Sequence, residues 1–267
     1  MSSATPIALE VVGIDKSYGG VHALNSVSFS VREGLIVGLV GANGAGKSTL
    51  LDIIGGEQSA DAGEVRMLGQ KLDGPPYRRA VAGLGRTFQH PAVSLEMTVY
   101  ENVAVGLSVR ELASRGRAFL QPLRALLTGA IPSRREVREA CNRVGLHGID
   151  RECEGLSFGE LRLLEVARAL IQRPKVMLLD EPFPGVEDES VALLVKALRD
   201  LAADGQTIVL VDHNISIVEE LVDEVVLLAR GAVQFVGSVA ECVASDAFRH
   251  EYVGAGREED HAEVVDT

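Results

Sequence analysis

The chain has 267 residues, 46% of them hydrophobic and 24% charged, which places it among globular proteins with room for one large domain, or a core with a smaller lobe. Its net charge of −12 argues against a nucleic-acid partner, because neutralising phosphates requires a basic surface. No uninterrupted apolar run reaches the roughly eighteen residues that a bilayer span requires, so any membrane role is expected to come through a partner.

Aromatic content is 4% and tryptophan is absent, so the core is expected to be built mainly from Leu, Val, Ile and Ala. Met1-Ser2-Ser3-Ala4-Thr5-Pro6 lacks the basic and apolar regions of a signal peptide. Cys141, Cys153 and Cys242 are odd in number and contain no C-x-x-C, which suggests packing residues in a reducing compartment rather than a disulfide framework or zinc site.

In chain order, Leu9-Glu10-Val11-Val12, Val27-Ser28-Phe29-Ser30-Val31 and the run from Leu35 to Val40 read as short strands, with Gly19-Gly20 and Glu33-Gly34 as turns. The third run leads into Gly41-Ala42-Asn43-Gly44-Ala45-Gly46-Lys47-Ser48-Thr49, and Leu50-Leu51-Asp52-Ile53-Ile54 reads as the start of a helix. The pattern G-x-x-x-x-G-K-[ST] between strand and helix is a P-loop. Its glycines let backbone N–H groups converge on phosphate oxygens, and the helix N-terminus adds partial positive charge. Lys47 is placed to reach the β- and γ-phosphates and Ser48 to ligate Mg²⁺.

Gly63-Glu64-Val65-Arg66-Met67-Leu68-Gly69 reads as a further strand. From about residue 98 to 151 the texture is helical, with Val99, Val103 and Val105 leading in and Pro122 and Pro132 as breaks. Ser133-Arg134-Arg135-Glu136 has the form of a capping box. Leu156-Ser157-Phe158-Gly159-Glu160 precedes another helical run; a hydroxyl and a glycine there suit a phosphate, although a plain helix cap explains Ser157 equally well.

Strand texture returns at Lys175-Val176-Met177-Leu178-Leu179-Asp180, at Thr207-Ile208-Val209-Leu210-Val211-Asp212 and at Val225-Val226-Leu227-Leu228. A helical run, 190–203, separates the first two in a βαβ rhythm, as expected of a parallel sheet covered on both faces. Asp180 ends a buried strand, which suits Mg²⁺ coordination, and Glu181 is placed to polarise a water for in-line attack on a γ-phosphate. From Arg257 onward the tail is acidic and is expected to be solvated and unstructured.

Taken together, these motifs resemble those of the ATP-binding subunits of ABC transporters, over nearly the full length from Leu9 to about Gly254. Residues 41–49 are similar to the family's Walker A loop, Gln89 sits in a Q-loop, residues 156–160 match its signature, and 176–180 match Walker B. Glu181 then corresponds to the catalytic glutamate and His213, 32 residues further on, to the switch histidine. Tyr18 stands at the adenine-stacking position, where an aromatic face offers dispersion contact.

The resemblance implies a P-loop α/β core with an N-terminal antiparallel β subdomain and an inserted helical lobe at about 90–160, the domain spanning 7–254 and the tail 255–267. It implies ATP and Mg²⁺ as cofactors, with Ser48, Gln89 and Asp180 at the metal, Lys47, Gln89, Glu181 and His213 in catalysis, and Ser157 and Gly159 acting on the nucleotide of a second subunit packed head to tail. The expected partners are that second ATPase subunit, integral membrane permease subunits and, indirectly, an extracytoplasmic solute-binding protein. The expected location is the cytoplasmic face of the membrane.

Gly85-Arg86-Thr87-Phe88-Gln89 and Glu96-Met97-Thr98-Val99-Tyr100-Glu101-Asn102-Val103 further resemble the importers of branched-chain amino acids and their urea or amide relatives. Two departures stand out. The signature has Glu160 in place of a neutral Gln, which is expected to bear on the efficiency of the trans site. The loop Pro182-Phe183-Pro184-Gly185-Val186-Glu187 ends in an unusual Glu and is stiffened by Pro184. A soluble non-transport ABC ATPase, and a weakly hydrolysing regulatory half of a heterodimer, are the alternatives.

Overall fold

A computed structural model describes residues 5–87, 92–114 and 133–251 of the chain. The chain divides into two compact units, Met1–Leu72 with Thr207–Thr267, and Asp73–Gln206.

The first unit is built on two sheets. Strands β1 (Ile7–Tyr18) and β2 (Val21–Arg32) form a long hairpin, whose tip, Gly19 and Gly20, has φ of 54° and 92°. Only residues without a Cβ adopt such angles at little cost, which is why the chain reverses here. Strand β1 also pairs antiparallel with β4 (Ala62–Met67), which pairs with β5 (Gln70–Lys71). Both hairpin strands run beyond the cores legible in the sequence. Register shifts around Ile14 and Lys16 break the alternation that would have shown their length.

The second sheet of this unit centres on β3 (Ile36–Val40), which runs parallel to β8 (Thr207–Val211) on one side and to β9 (Glu224–Ala229) on the other. Strand β10 (Ala232–Gly237) closes it antiparallel to β9. Every residue of β3 and β8 is buried, which their unbroken apolar sequences require of strands covered on both faces. Leu39 lies opposite Val211 and Val40 opposite Leu227, so the loop after β3 and the loop after β8 leave the sheet side by side.

The second unit is mainly helical. Helices span Pro76–Ala82, Val99–Ser114, Arg134–Arg143, Phe158–Leu170 and Asp188–Ala203, and the short strand β6 (Leu84–Arg86) lies parallel to β7 (Val176–Asp180). Ser133 and Glu136 form the expected capping box. The proposed break at Pro122, the one at Pro132 and the acidic tail lie outside the described residues.

The cores of both units match the composition. They are built from Leu, Val, Ile and Ala, with Leu9, Ile14, Leu24, Leu50 and Ile54 fully buried in the first and Leu164, Met177 and Leu178 in the second. Each such side chain contributes about 1.5–3 kcal/mol by leaving water. The three cysteines are free and buried, and burial pushes the thiols of Cys141 and Cys242 up to about 11. They stay protonated and act as packing groups.

Candidate functional site

The loop after β3 is the candidate phosphate-binding loop. Its helix spans Lys47–Gly55, so it begins three residues earlier than the apolar run at Leu50 indicated. Gly46, at φ 103°, is its N-cap and supplies no side-chain acceptor. A capping Ser or Asp would have used the first-turn N–H groups; a glycine leaves them for an external anion. A Cβ on Gly46 would lie 2.7 Å from the Ala23 carbonyl oxygen, so a larger residue displaces the loop.

Lys47 is buried, and its Nζ donates to the Gly41 oxygen (2.6 Å) and the Ala42 oxygen (2.9 Å). The cation is thus held inside the loop by the loop's own carbonyls. Asn43, Gly44 and Ser48 are exposed, Ala42 and Thr49 half-buried, and Ala45 buried.

His213 is exposed at the end of β8, beside the start of this loop through the β3–β8 register. Two neighbours fix the turn that carries it. Buried Asp212 accepts from the Asn214 N–H (2.8 Å), and Asn214 caps the helix Ile215–Leu221 by accepting from Ser216 N–H (3.1 Å). Sequence inspection did not single out either neighbour.

Tyr18 ends β1, half exposed, with the Lys16 ammonium 5.3 Å from its ring centroid. Its hydroxyl donates to Gln58 Oε1, and Gln58 Nε2 donates to Asp52 Oδ2 (3.0 Å) on the Lys47–Gly55 helix. A polar chain therefore runs from that helix to the ring, and nothing in the pattern of the sequence announces Gln58. If Tyr18 stacks on a base, Gln58→Leu raises KM for ATP about 2- to 10-fold with kcat unchanged, the value of one neutral hydrogen bond in uniform binding. Steady-state ATPase kinetics check this, and an unchanged KM removes Gln58 from the site.

The second unit places the remaining candidates. Asp180 ends β7 with its carboxylate largely buried, and Arg86 Nη2 lies 3.5 Å from its Oδ2. Glu181 follows at φ 43°, a left-handed conformation that costs a non-glycine residue energy and persists only where the surroundings hold it. Gln89 lies outside the described residues.

Ser157 is the N-cap of the helix Phe158–Leu170. Its Oγ accepts from the Glu160 N–H (3.2 Å), and Glu160 Oε2 accepts from the Ser157 N–H (3.0 Å). Both readings of Ser157 stand on this one geometry, since the cap also presents the hydroxyl at a helix N-terminus. Gly159 has a packing reason of its own: a Cβ there would lie 2.3 Å from Ser190 Cβ on the helix Asp188–Ala203.

The charge of Glu160 is less disturbing in the structure than in the sequence. Arg151 grips both carboxylate oxygens, Nη1 on Oε1 and Nη2 on Oε2 (3.1 Å), and holds the carboxyl below its usual range against the opposing effect of burial. The turn therefore carries a carboxylate paired with a guanidinium.

A strand–glycine loop–helix unit with a buried lysine, followed by an acidic residue at the end of a buried strand, defines a P-loop nucleotide-binding protein. The ABC transporter family profile matches residues 24–184. A probable ABC transporter ATP-binding protein of Azorhizobium caulinodans is 35% identical over 92% of this chain and 83% of its own length. The Nod factor export ATP-binding protein I of Rhizobium johnstonii is 36% identical over 86% and 68%. The sulfate/thiosulfate import ATP-binding protein of Pectobacterium atrosepticum is 33% identical over 88% and 68%.

Among solved structures, an ATP-binding cassette of an ABC transporter in its ADP conformation is 30% identical and superposes with a TM-score of 0.80, covering 94% of this chain and 100% of that one. A dimeric cassette in a post-hydrolysis state with ADP and Pi is 26% identical with a TM-score of 0.69, covering 86% and 98%. The chain belongs to the ABC transporter family, as an ATP-binding subunit whose ATP hydrolysis is coupled to transport. It has the family's fold, an antiparallel β subdomain with a P-loop α/β core. Among the described residues no helix is long and apolar enough to cross a membrane.

Proposed function

We propose that this subunit powers the import of a small polar solute of the branched-chain amino acid, amide or urea type. It would do so as one of two nucleotide-binding subunits docked on membrane permease subunits at the cytoplasmic face, with solute delivered by an extracytoplasmic binding protein. The observation that carries the reading is the motif order of an ATPase, from the P-loop through Glu181 to His213, joined to the 85–89 and 96–103 segments, which resemble those of that importer group. The relatives named above include an exporter and a sulfate importer, so the choice of solute rests on those two segments.

In this reading the first-turn N–H groups of the Lys47–Gly55 helix and the Lys47 ammonium take the β- and γ-phosphates, with Tyr18 against the base. Lys47 exchanges its carbonyl partners for phosphate oxygens, which are stronger acceptors for an ammonium. Ser48, Gln89 and Asp180 are the residues that would hold Mg²⁺. Such an ion takes few protein ligands, and it would supply charge neutralisation at the phosphates.

Glu181 accepts a proton from the attacking water, and His213 donates to the γ-phosphate. Ser157 and the Gly159 turn complete the site of the other subunit. Arg151, by pairing with Glu160, offsets the charge that would repel the phosphate there. Closure of the pair would press the helical lobe on the permease subunits, and product release would reopen it.

The test is co-purification. A tagged chain extracted in mild detergent should bring down membrane subunits, and in liposomes the assembled complex should hydrolyse ATP faster with a loaded binding protein for such a solute. Purification without membrane proteins favours the soluble ATPase instead, and stimulation by sulfate alone refutes the choice of solute.

A further inference from the structure

A buried ion pair in the second unit lies outside the motif chemistry. Arg162 sits in the helix Phe158–Leu170 with 3% of its surface exposed. Its Nη1 donates to Glu165 Oε2 (3.0 Å), its guanidinium lies 5.1 Å from the Phe158 ring centroid, and its Nη2 approaches the Glu181 carbonyl oxygen at 3.5 Å. Glu165 is equally buried. Its Oε1 accepts from the Ala92 N–H (3.2 Å), and Arg168 stands 3.7 Å away.

Stability is a weak reason for burying such a pair. Burial pushes the Glu165 carboxyl up, opposed by the Ala92 N–H and the two arginines, so the pair is held against a desolvation cost. Buried pairs of this kind are often matched or bettered in stability by well-packed apolar residues. What the pair does supply is aim. With Nη1 on Glu165 and its face against Phe158, the guanidinium turns Nη2 towards the peptide oxygen of Glu181. That residue has the left-handed φ of 43° and needs such a hold. Phe158 in turn lies over the next loop, its Cε1 3.5 Å from where a Cβ on Gly185 would stand.

We propose that Arg162, oriented by Glu165, is a positioning residue for hydrolysis: it holds the Glu181 peptide and so ties the aim of the Glu181 carboxylate to the helix that begins with the Ser157 turn. The proposal rests on the reading of Glu181 as the residue that activates water. It makes the helix carrying one half-site a lever on the catalytic residue of the same chain. An ordinary cap-and-pack helix has no such output.

The experiment compares Arg162→Met, Arg162→Lys, the pair Arg162→Met/Glu165→Met, and Glu181→Gln, all in the full chain. Melting temperature, affinity for a fluorescent ATP analogue, and ATPase kcat and KM are measured on each. Arg162→Met lowers kcat about 100-fold, the effect of a misplacement of about 1 Å, with KM and nucleotide affinity within about 2-fold. Arg162→Lys recovers part of the rate, because it keeps the charge without the fork.

The paired apolar variant melts at or above the parent temperature yet stays slow, which a merely structural role does not predict. In the Glu181→Gln background Arg162→Met has no further effect. A paired variant that is stable and as fast as the parent, while Glu181→Gln is dead, overturns the positioning role and leaves the catalytic reading intact. If Glu181→Gln itself keeps full turnover, both fail.

Discussion

Glu181→Gln is expected to lower ATP turnover about 100- to 10,000-fold, the range by which a positioned general base accelerates proton transfer. ATP affinity should stay within about 2-fold, because the substitution keeps the volume and hydrogen-bonding reach of the side chain and removes only its basicity. Two local facts make the substitution clean. Glu181 has its peptide held from outside its own side chain, at the carbonyl faced by Arg162, so the left-handed turn is expected to survive. And Asp180, the neighbouring acid, is already engaged with Arg86, 3.5 Å away, and is poorly placed to take over as base. Phosphate release at saturating ATP measures the effect, and equal rates in parent and variant remove Glu181 from the role.

Lys47→Ala is the second large effect, and it falls on binding instead. A charge-assisted hydrogen bond contributes about 1.5–3 kcal/mol, which corresponds to about 10- to 150-fold weaker ATP binding. The loop itself loses two contacts, from Lys47 Nζ to the carbonyls of Gly41 and Ala42, so part of the loss reflects a looser cradle. Lys47→Met separates the contributions. It keeps the buried stem in place and removes the charge, and it should bind nearly as weakly as the alanine variant if charge dominates. Equilibrium titration with a fluorescent ATP analogue reads both, and a change below 2-fold contradicts the assignment.

Much of this site is legible without coordinates because the chemistry needs particular residues in contiguous order. Gly41 to Thr49 announce themselves between an apolar strand and an apolar helix, and Asp180-Glu181 closes an unbroken apolar run. The capping boxes at Ser133 and Ser157 are legible for the same reason, since a hydroxyl and a carboxylate three residues apart meet at any helix start. What the sequence hides is contact at a distance. Arg162 and Glu165 look like a surface pair on an amphipathic helix, and only tertiary packing shows that their face is buried.

Arg151 lies nine positions from Glu160, with no local rule to pair them, so the sequence does not show the partner of that charge. Gln58 is 40 positions from Tyr18. The short strand β6 has only three residues, too few for a period to show, and β10 alternates weakly on a sheet edge. The helix boundary at Lys47 was missed because the apolar periodicity begins at Leu50, while the first turn is reserved for polar ends.

The proposed hydrolysis requires ATP to be shared between the Lys47 loop of one chain and the Ser157 turn of another. The most direct test is a structure of the Glu181→Gln protein trapped with ATP and Mg²⁺, alongside its mass in solution. A dimer that forms only with nucleotide, with Ser157 within hydrogen-bonding reach of the terminal phosphate held by the partner's loop, is the predicted result. A nucleotide-filled protein that remains monomeric, or a dimer whose Ser157 turns face away from both phosphates, contradicts it.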